Sequence, residues 1–238
     1  MRVALLELPA RFGAIDEALA EVEHLVLGEG AAPADLVLLP EASLTGYVSP
    51  NGSFDVRPFG EPIEGPTRRA MAVIARRANA AIAFPLIEQA GKTYFNSFLL
   101  LAPSGDLIGH YRKIHPWYPE SWATPGDLPM PIATVKGTRV SVAVCFDIHF
   151  LEIERREALR SIDLLLFPSA WVDEGEDDSR APILGRIAAA FGITIANANW
   201  GGGAPMVSGQ GSSRFVGPDG VLVALDGVVQ TARRLDWG

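Results

Sequence analysis

Residues 35–42 read DLVLLPEA, and this run decides the fold. Leu36, Val37, Leu38 and Leu39 are apolar without interruption, and Pro40 closes the run. A strand with one wet face alternates apolar and polar side chains. A short continuous run is instead the pattern of a strand covered on both faces. The phrase returns at 163–170 as DLLLFPSA. A second echo joins LLLAPSGDLIGHYR (99–112) to SRFVGPDGVLVAL (213–225), each read as a hairpin, the first turning at PSGD. Short apolar strands often look alike, so the echoes are a hint of two related halves.

Around these runs helices and strands alternate. A strand is read from Val3 to Leu8 and a helix from Ile15 to Leu27. In that helix Ile15, Leu19, Val22 and Val26 recur every three or four residues, on one face. Pro66 suits a first helical turn; its helix runs to about Asn79, and a strand follows near Ile82 to Phe84. TRVSVAVCFD (138–147) is a strand and FLEIERREALRS (150–161) a helix. APILGRIAAAFG (181–192) is a helix stopped by Gly192, and ITIANANW (193–200) is another strand. No low-complexity linker or composition break divides the chain. Residues 1–238 are therefore read as one α/β domain, with helices covering sheets.

Composition narrows the classes of function. The 238 residues are 48% hydrophobic and 20% charged, enough for a sizeable core and too apolar for disorder. The net charge of −8 gives no electrostatic reason to expect nucleic acid or an anionic membrane as partner. No apolar run is long enough to span a bilayer, and the N-terminal one is too short for a signal peptide and is interrupted by Glu7. Cys145 is the only cysteine, so no intrachain disulfide can form. The expected location is the cytoplasm, where a free thiol stays reduced.

In α/β sheets ligands bind beyond the C-terminal ends of strands. The residues standing there are Glu41, Cys145, Ser169 to Trp171, and Asn197 to Trp200, with Lys113 delivered by the first hairpin. A thiol is the strongest nucleophile among side chains once deprotonated. A carboxylate in reach can take its proton and return it to a leaving amine, and an ammonium can hold a tetrahedral oxyanion. Cys, Glu and Lys together suffice for acyl transfer from an amide or nitrile. Taken singly, each has a plainer reading: Cys145 as a core residue, Glu41 as a solvated or capping carboxylate, Lys113 as hairpin surface charge.

Together, and in order, the segments resemble the carbon–nitrogen hydrolase (nitrilase-like) superfamily over essentially the whole chain. LVLLPEASLTGY resembles the first motif, GHYRKIHPW the lysine motif, and VSVAVCFDIHFLE the nucleophile motif of amidase-type members. The resemblance implies a four-layer αββα sandwich. It implies Cys145 as nucleophile, Glu41 as general base and Lys113 as stabiliser of the tetrahedral intermediate. Glu120, in PESWATPGD, matches the second glutamate that orients the lysine or substrate, and the Phe146 N–H would complete the oxyanion hole. Candidate substrate contacts are Phe146, His149, Trp171, Asn197, Tyr47 and Trp117. The implied activity is hydrolysis of a small amide through a Cys thioester, with no metal or organic cofactor. N-carbamoyl hydrolysis, nitrile hydrolysis and a non-catalytic binding protein on the same fold are the alternatives. A homodimer or larger homo-oligomer is implied, through the helix after Cys145 and the 181–192 helix.

The chain also departs from the family pattern. HFLE at 149–152 stands where amidase-type members read Arg-Phe-Pro-Glu, and RIAAA at 186–190 replaces an Arg-Ala-x-Glu-Asn helix. His115 and His149 flank matched motifs and are read either as pocket or as loop residues. His24, His110, His115 and His149 show no metal-ligand spacing. The acidic run Asp173, Glu174, Glu176, Asp177 and Asp178 reads as a solvated loop. NWGGGAPMVSGQGSS (199–213) matches no phosphate-loop or dinucleotide pattern. Trp117, Trp122, Trp171 and Trp200 sit in loops beside the motifs, where aromatics shape an apolar pocket.

Overall fold

A computed structural model describes residues 1–9, 11–29, 31–173, 178–202 and 210–222, and the backbone of 223 and 233–237. Its strands are β1 (Val3–Glu7), β2 (Leu36–Leu38), β3 (Ala81–Ala90), β4 (Thr93–Leu101), β5 (Leu107–Arg112) and β6 (Ala133–Val135). They continue with β7 (Thr138–Val142), β8 (Leu164–Ser169), β9 (Thr194–Asn199), β10 (Arg214–Val216), β11 (Leu222–Val223) and β12 (Arg233–Trp237). The helices are α1 (Ile15–Leu27), α2 (Pro66–Ala78), α3 (Leu151–Glu154), α4 (Arg156–Arg160) and α5 (Arg180–Phe191). The strands form two six-stranded sheets, ordered β12-β1-β2-β3-β4-β5 and β11-β10-β9-β8-β7-β6.

Side-chain alternation divides the first sheet between two cores. Val3, Leu5, Leu36, Leu38, Ala81, Ala83, Phe98 and Leu100 face the second sheet. Ala4, Leu6, Val37, Leu39, Ile82, Phe84, Leu99 and Leu101 face α1 and α2, packing on Val22, Val26, Met71 and Ile74. Both faces are dry, which is why the strands read as continuous apolar runs. Leu184, Ile187 and Ala188 of α5, with Leu151 and Leu159 of α3 and α4, cover the second sheet. The layers are therefore helix, sheet, sheet, helix, as the resemblance implied.

The two halves are topologically equivalent. In each sheet three strands run parallel (β1-β2-β3; β7-β8-β9). Two antiparallel strands then follow (β4-β5; β10-β11). An antiparallel strand, β12 or β6, closes the other edge. DLVLLPEA and DLLLFPSA are β2 and β8, at the same place in each half, and the two hairpin echoes coincide likewise.

Boundaries differ in instructive ways. The strand read at Ile82 to Phe84 continues to Ala90, through Pro85. Pairing with β2 ends at Ala83, so Pro85 needs no N–H on that side while its other edge pairs with Phe98. The helix read over 150–161 is two short helices broken at Arg155, because Leu151, Leu159 and Ile162 turn inward while Ile153 is 86% exposed. The short edge strands β6 and β12 carried no sequence signal. Gly192 closes α5 in the left-handed conformation (φ 64°) as expected, and Asn79 does the same for α2 (φ 50°). Among the described residues no helix is long and apolar enough to cross a membrane.

Candidate active site

Four strand ends converge. Glu41 leaves β2 after Pro40, and the chain turns at once through Ala42 (φ 50°), leaving Glu41 fully buried. Lys113 leaves β5 and is also fully buried; its N–H donates to the Asn96 carbonyl at 2.8 Å, so it continues the β4–β5 ladder. Its carbonyl accepts from the Gly126 N–H at 2.8 Å. A side chain at Gly126 would set a Cβ 2.0 Å from the Arg112 carbonyl oxygen, so the PG of PESWATPGD is a close backbone approach. Glu120 closes the intervening turn, its Oε2 accepting from the Trp117 N–H at 2.5 Å.

Lys113 Nζ lies 2.7 Å from Glu41 Oε1 and 2.5 Å from Glu120 Oε2. Burial opposes the ammonium charge, but Glu41 and Glu120 outweigh it and hold Lys113 charged well above its ordinary range. Burial raises Glu120, Lys113 lowers it, Glu41 raises it, and the net direction is upward. The Ala170 N–H donates to Glu41 Oε2 at 3.1 Å, tying the first-half carboxylate to the end of β8.

Cys145 opens a 3-10 turn (Cys145–His149) after β7, with φ 45°. That left-handed geometry is strained for a side chain and points the thiol away from the strand path. Asp147 holds the turn. Its carboxylate accepts from the Val144 N–H at 3.2 Å, the Tyr111 hydroxyl at 2.7 Å and the His115 N–H at 2.8 Å. Burial and the Glu41 charge push the thiol well up, against the opposing pull of Lys113 and the Ala170 N–H. The resting pair is therefore a thiol beside a carboxylate, not a thiolate. The Phe146 N–H bonds no acceptor among the described residues.

Cys145 lines a cavity of about 490 Å³ with Tyr47, Phe54, Trp117, Phe146, His149, Trp171 and Trp200. A groove of about 590 Å³ between Gly126–Met130 and Ile153–Ala158 contains none of these residues. Tyr47 packs near Trp117 and Trp200, with centroids 6.4 and 6.1 Å away, and burial with the Glu120 charge pushes its hydroxyl well up. His149 sits 5.6 Å from Trp171 and 5.1 Å from Phe146; burial and Arg186 hold its imidazole below the ordinary value, hence neutral near pH 7. Asp173 lines the cavity and is bonded to the indole N–H of Trp171 at 2.9 Å.

One expectation is corrected. Asn197 is fully buried and does not line the cavity. Its amide is consumed between β8 and β9, donating to the Phe167 carbonyl at 2.8 Å and Ser169 Oγ at 3.0 Å and accepting from Arg180 at 3.0 Å. Of the two readings open for His115, the structure has it outside the cavity lining: it stacks on Phe150 at 3.9 Å and lies 3.3 Å from Glu154. Of the acidic run, Glu174, Glu176 and Asp177 lie outside the described residues, as does 203–209 of the glycine-rich loop. Sequence reasoning missed Phe54 and Asn96. Asn96 carried a usable signal: a polar residue on the core-facing side of β4, in register with Phe98 and Leu100.

The geometry can be set beside known proteins. The family model for carbon–nitrogen hydrolases matches residues 2–228. A Pseudomonas protegens protein named "Hydrolase in pqqF 5'region" is 31% identical over 232 residues, 96% of this chain and 79% of its own. An (R)-stereoselective amidase of a Pseudomonas species is 28% identical over 189 residues, 78% of this chain and 66% of its own. The crystal structure of an amidase from a Nesterenkonia species superposes with a TM-score of 0.82 at 26% identity, covering 100% of this chain and 90% of that one. A mutant of that amidase that has added acrylamide at its active-site cysteine superposes with a TM-score of 0.84, also at 26% identity, over 99% and 92% of the two chains. With the family matched over residues 2–228, the chain belongs to the carbon–nitrogen hydrolase family and is an enzyme of its cysteine-dependent, nitrilase-superfamily kind.

Proposed function

We propose that this enzyme hydrolyses a small amide, with Cys145 as nucleophile, Glu41 as general base, Lys113 as oxyanion stabiliser and Glu120 as the group that orients Lys113. The observation that carries the reading is the buried Glu41–Lys113–Glu120 cluster, whose Glu41 and Lys113 act electrostatically on the thiol at the floor of an aromatic cavity. Because burial and Glu41 hold the thiol protonated, attack requires that Glu41 take its proton as the sulfur adds to the carbonyl carbon. The Lys113 ammonium and the Phe146 N–H hold the oxyanion. The adduct collapses as Glu41 returns the proton to the leaving nitrogen, releasing ammonia or an amine and leaving a thioester. Water, deprotonated by Glu41, adds to the thioester; collapse expels the sulfur, which regains a proton.

The cavity lining favours some substrates over others. Among the described lining residues, apart from the catalytic floor, the one formal charge is Asp173 and there is no lysine or arginine, and His149 is neutral. A carboxylate-bearing N-carbamoyl amino acid finds no cation there, whereas an uncharged or amine-bearing amide meets no penalty. The enzyme acts as a cytoplasmic homo-oligomer in this reading, pairing through the α3–α4 and α5 faces, where Ile153 is 86% exposed. The test is ammonia release from a panel of small amides, N-carbamoyl compounds and nitriles, with Cys145→Ala as control. Release from amides that vanishes in the variant supports the reading; release that persists in the variant overturns it.

A further inference from the structure

We infer that Asn96 is a positioning residue that decides which oxygen of Glu41 carries the proton during the reaction. Asn96 lies on β4 and is 2% exposed. Its Nδ2 donates to Glu41 Oε1 at 2.8 Å and to Glu120 Oε1 at 2.6 Å. Lys113 Nζ donates to Glu41 Oε1 at 2.7 Å and Glu120 Oε2 at 2.5 Å. The four side chains thus form a closed ring in which one cation and one neutral amide each bridge the two carboxylates.

The ring treats the oxygens of Glu41 unequally. Oε1 accepts two short hydrogen bonds, from Lys113 and Asn96; among the described residues Oε2 accepts only the 3.1 Å bond from the Ala170 N–H. A carboxylate oxygen that already holds two donors, one of them charged, is the poorer proton acceptor. The thiol proton therefore goes to Oε2. Once it is there, the two donors still grip Oε1, so the carboxyl group cannot rotate and the O–H stays where the leaving nitrogen will be.

Asn96 Oδ1 has no partner among the described residues, although the atom is buried. Reversing the amide would set that oxygen against two carboxylates, which is worse than leaving it unpaired. The orientation is thus forced by the ring. The residue type is constrained as well. Lys113 with Glu41 and Glu120 carries a net charge of −1. A neutral double donor pins both carboxylates without changing that sum, whereas a carboxylate in its place would deepen it and a cation would quench the base.

This inference rests on the reading of Glu41 as the base, so its test has one arm that needs no substrate. Asn96→Ala and Asn96→Ser are compared with the unaltered enzyme by circular dichroism, kinetics on the best amide, and iodoacetamide alkylation of Cys145 as a function of pH. Asn96→Ala is expected to lower kcat about 100-fold with KM within about threefold, the size of loss that follows misplacement of a reacting group. Losing a donor disfavours the ionised carboxylates, so the acidic limb of both the rate and the alkylation profiles moves to higher pH. Asn96→Ser, which keeps one donor, recovers part of both effects and serves alone if the alanine variant does not fold. A folded variant with unaltered kcat and unmoved acidic limbs overturns the inference. A shifted alkylation profile in an enzyme that hydrolyses no amide supports Asn96 in this role and overturns the amidase reading instead.

Discussion

Glu88 gives the most quantitative test of the structure that carries the site. It is 1% exposed and accepts from Ser97 Oγ at 2.6 Å, His110 Nε2 at 2.9 Å and Arg112 Nη2 at 2.5 Å. Ser97 and Arg112 are the neighbours in sequence of Asn96 and Lys113, so this cluster clamps the strand pair that holds both. Burial raises the Glu88 carboxyl, but His110, Arg112 and Ser97 prevail and lower it from the ordinary 4.5 to about 2. At about 1.4 kcal/mol for each tenfold, the ionised carboxylate contributes about 3 kcal/mol to folding. The sign follows from the depressed value: the contribution is complete above pH 4.5 and is lost as the pH falls toward 2. About 1 kcal/mol is gone by pH 4 and about 2 kcal/mol by pH 3. Glu88→Gln removes the charge and sets an amide N–H₂ among donors. Urea unfolding at pH 7 is expected to show the variant about 3 kcal/mol less stable. The gap narrows by about 1 kcal/mol at pH 4 and to about 1 kcal/mol at pH 3. A gap that stays constant or widens with acid would refute the assignment.

Two further outcomes follow from the cluster and its supports. Lys113→Met leaves Glu41 and Glu120 buried without their shared cation; kcat/KM is expected to fall at least about 1,000-fold, and a folded variant keeping a tenth of its activity would contradict the oxyanion role. Gly126→Ala sets a methyl group against the Arg112 carbonyl and is expected to cost about 2 kcal/mol in urea unfolding with a lower kcat, since the Lys113 carbonyl is bonded there. Unchanged stability would mean that the approach is looser than described.

The legible part of this protein was whatever lies in local pattern. Leu36–Leu39 and Leu164–Phe167 announce strands covered on both faces because a buried parallel strand has no wet side to mark with polar residues. Ile15–Leu27 and Pro66–Ala78 announce helices because one face must meet the sheet at a period of 3.6. The order of Glu41, Lys113 and Cys145 was visible because each stands where a strand ends, Glu120 was visible only through the resemblance of PESWATPGD, and the repeated DLVLLPEA and DLLLFPSA were the trace of two equivalent halves. What pattern could not supply was the partner of any polar side chain. Asn197 and Asn96 are both asparagines on buried strands. One is consumed between β8 and β9, and the other bridges the two carboxylates at the site. Their difference lies in the neighbours each meets: Asn96 has Glu41 and Glu120 at the ends of its own sheet, and Asn197 has β8 and Arg180. Composition says that a carboxylate, an ammonium and a thiol are present. Only the packing of one sheet on the other brings Glu41 from the first half against Ala170 and Cys145 from the second, in a place dry enough that each charge must answer to its neighbours.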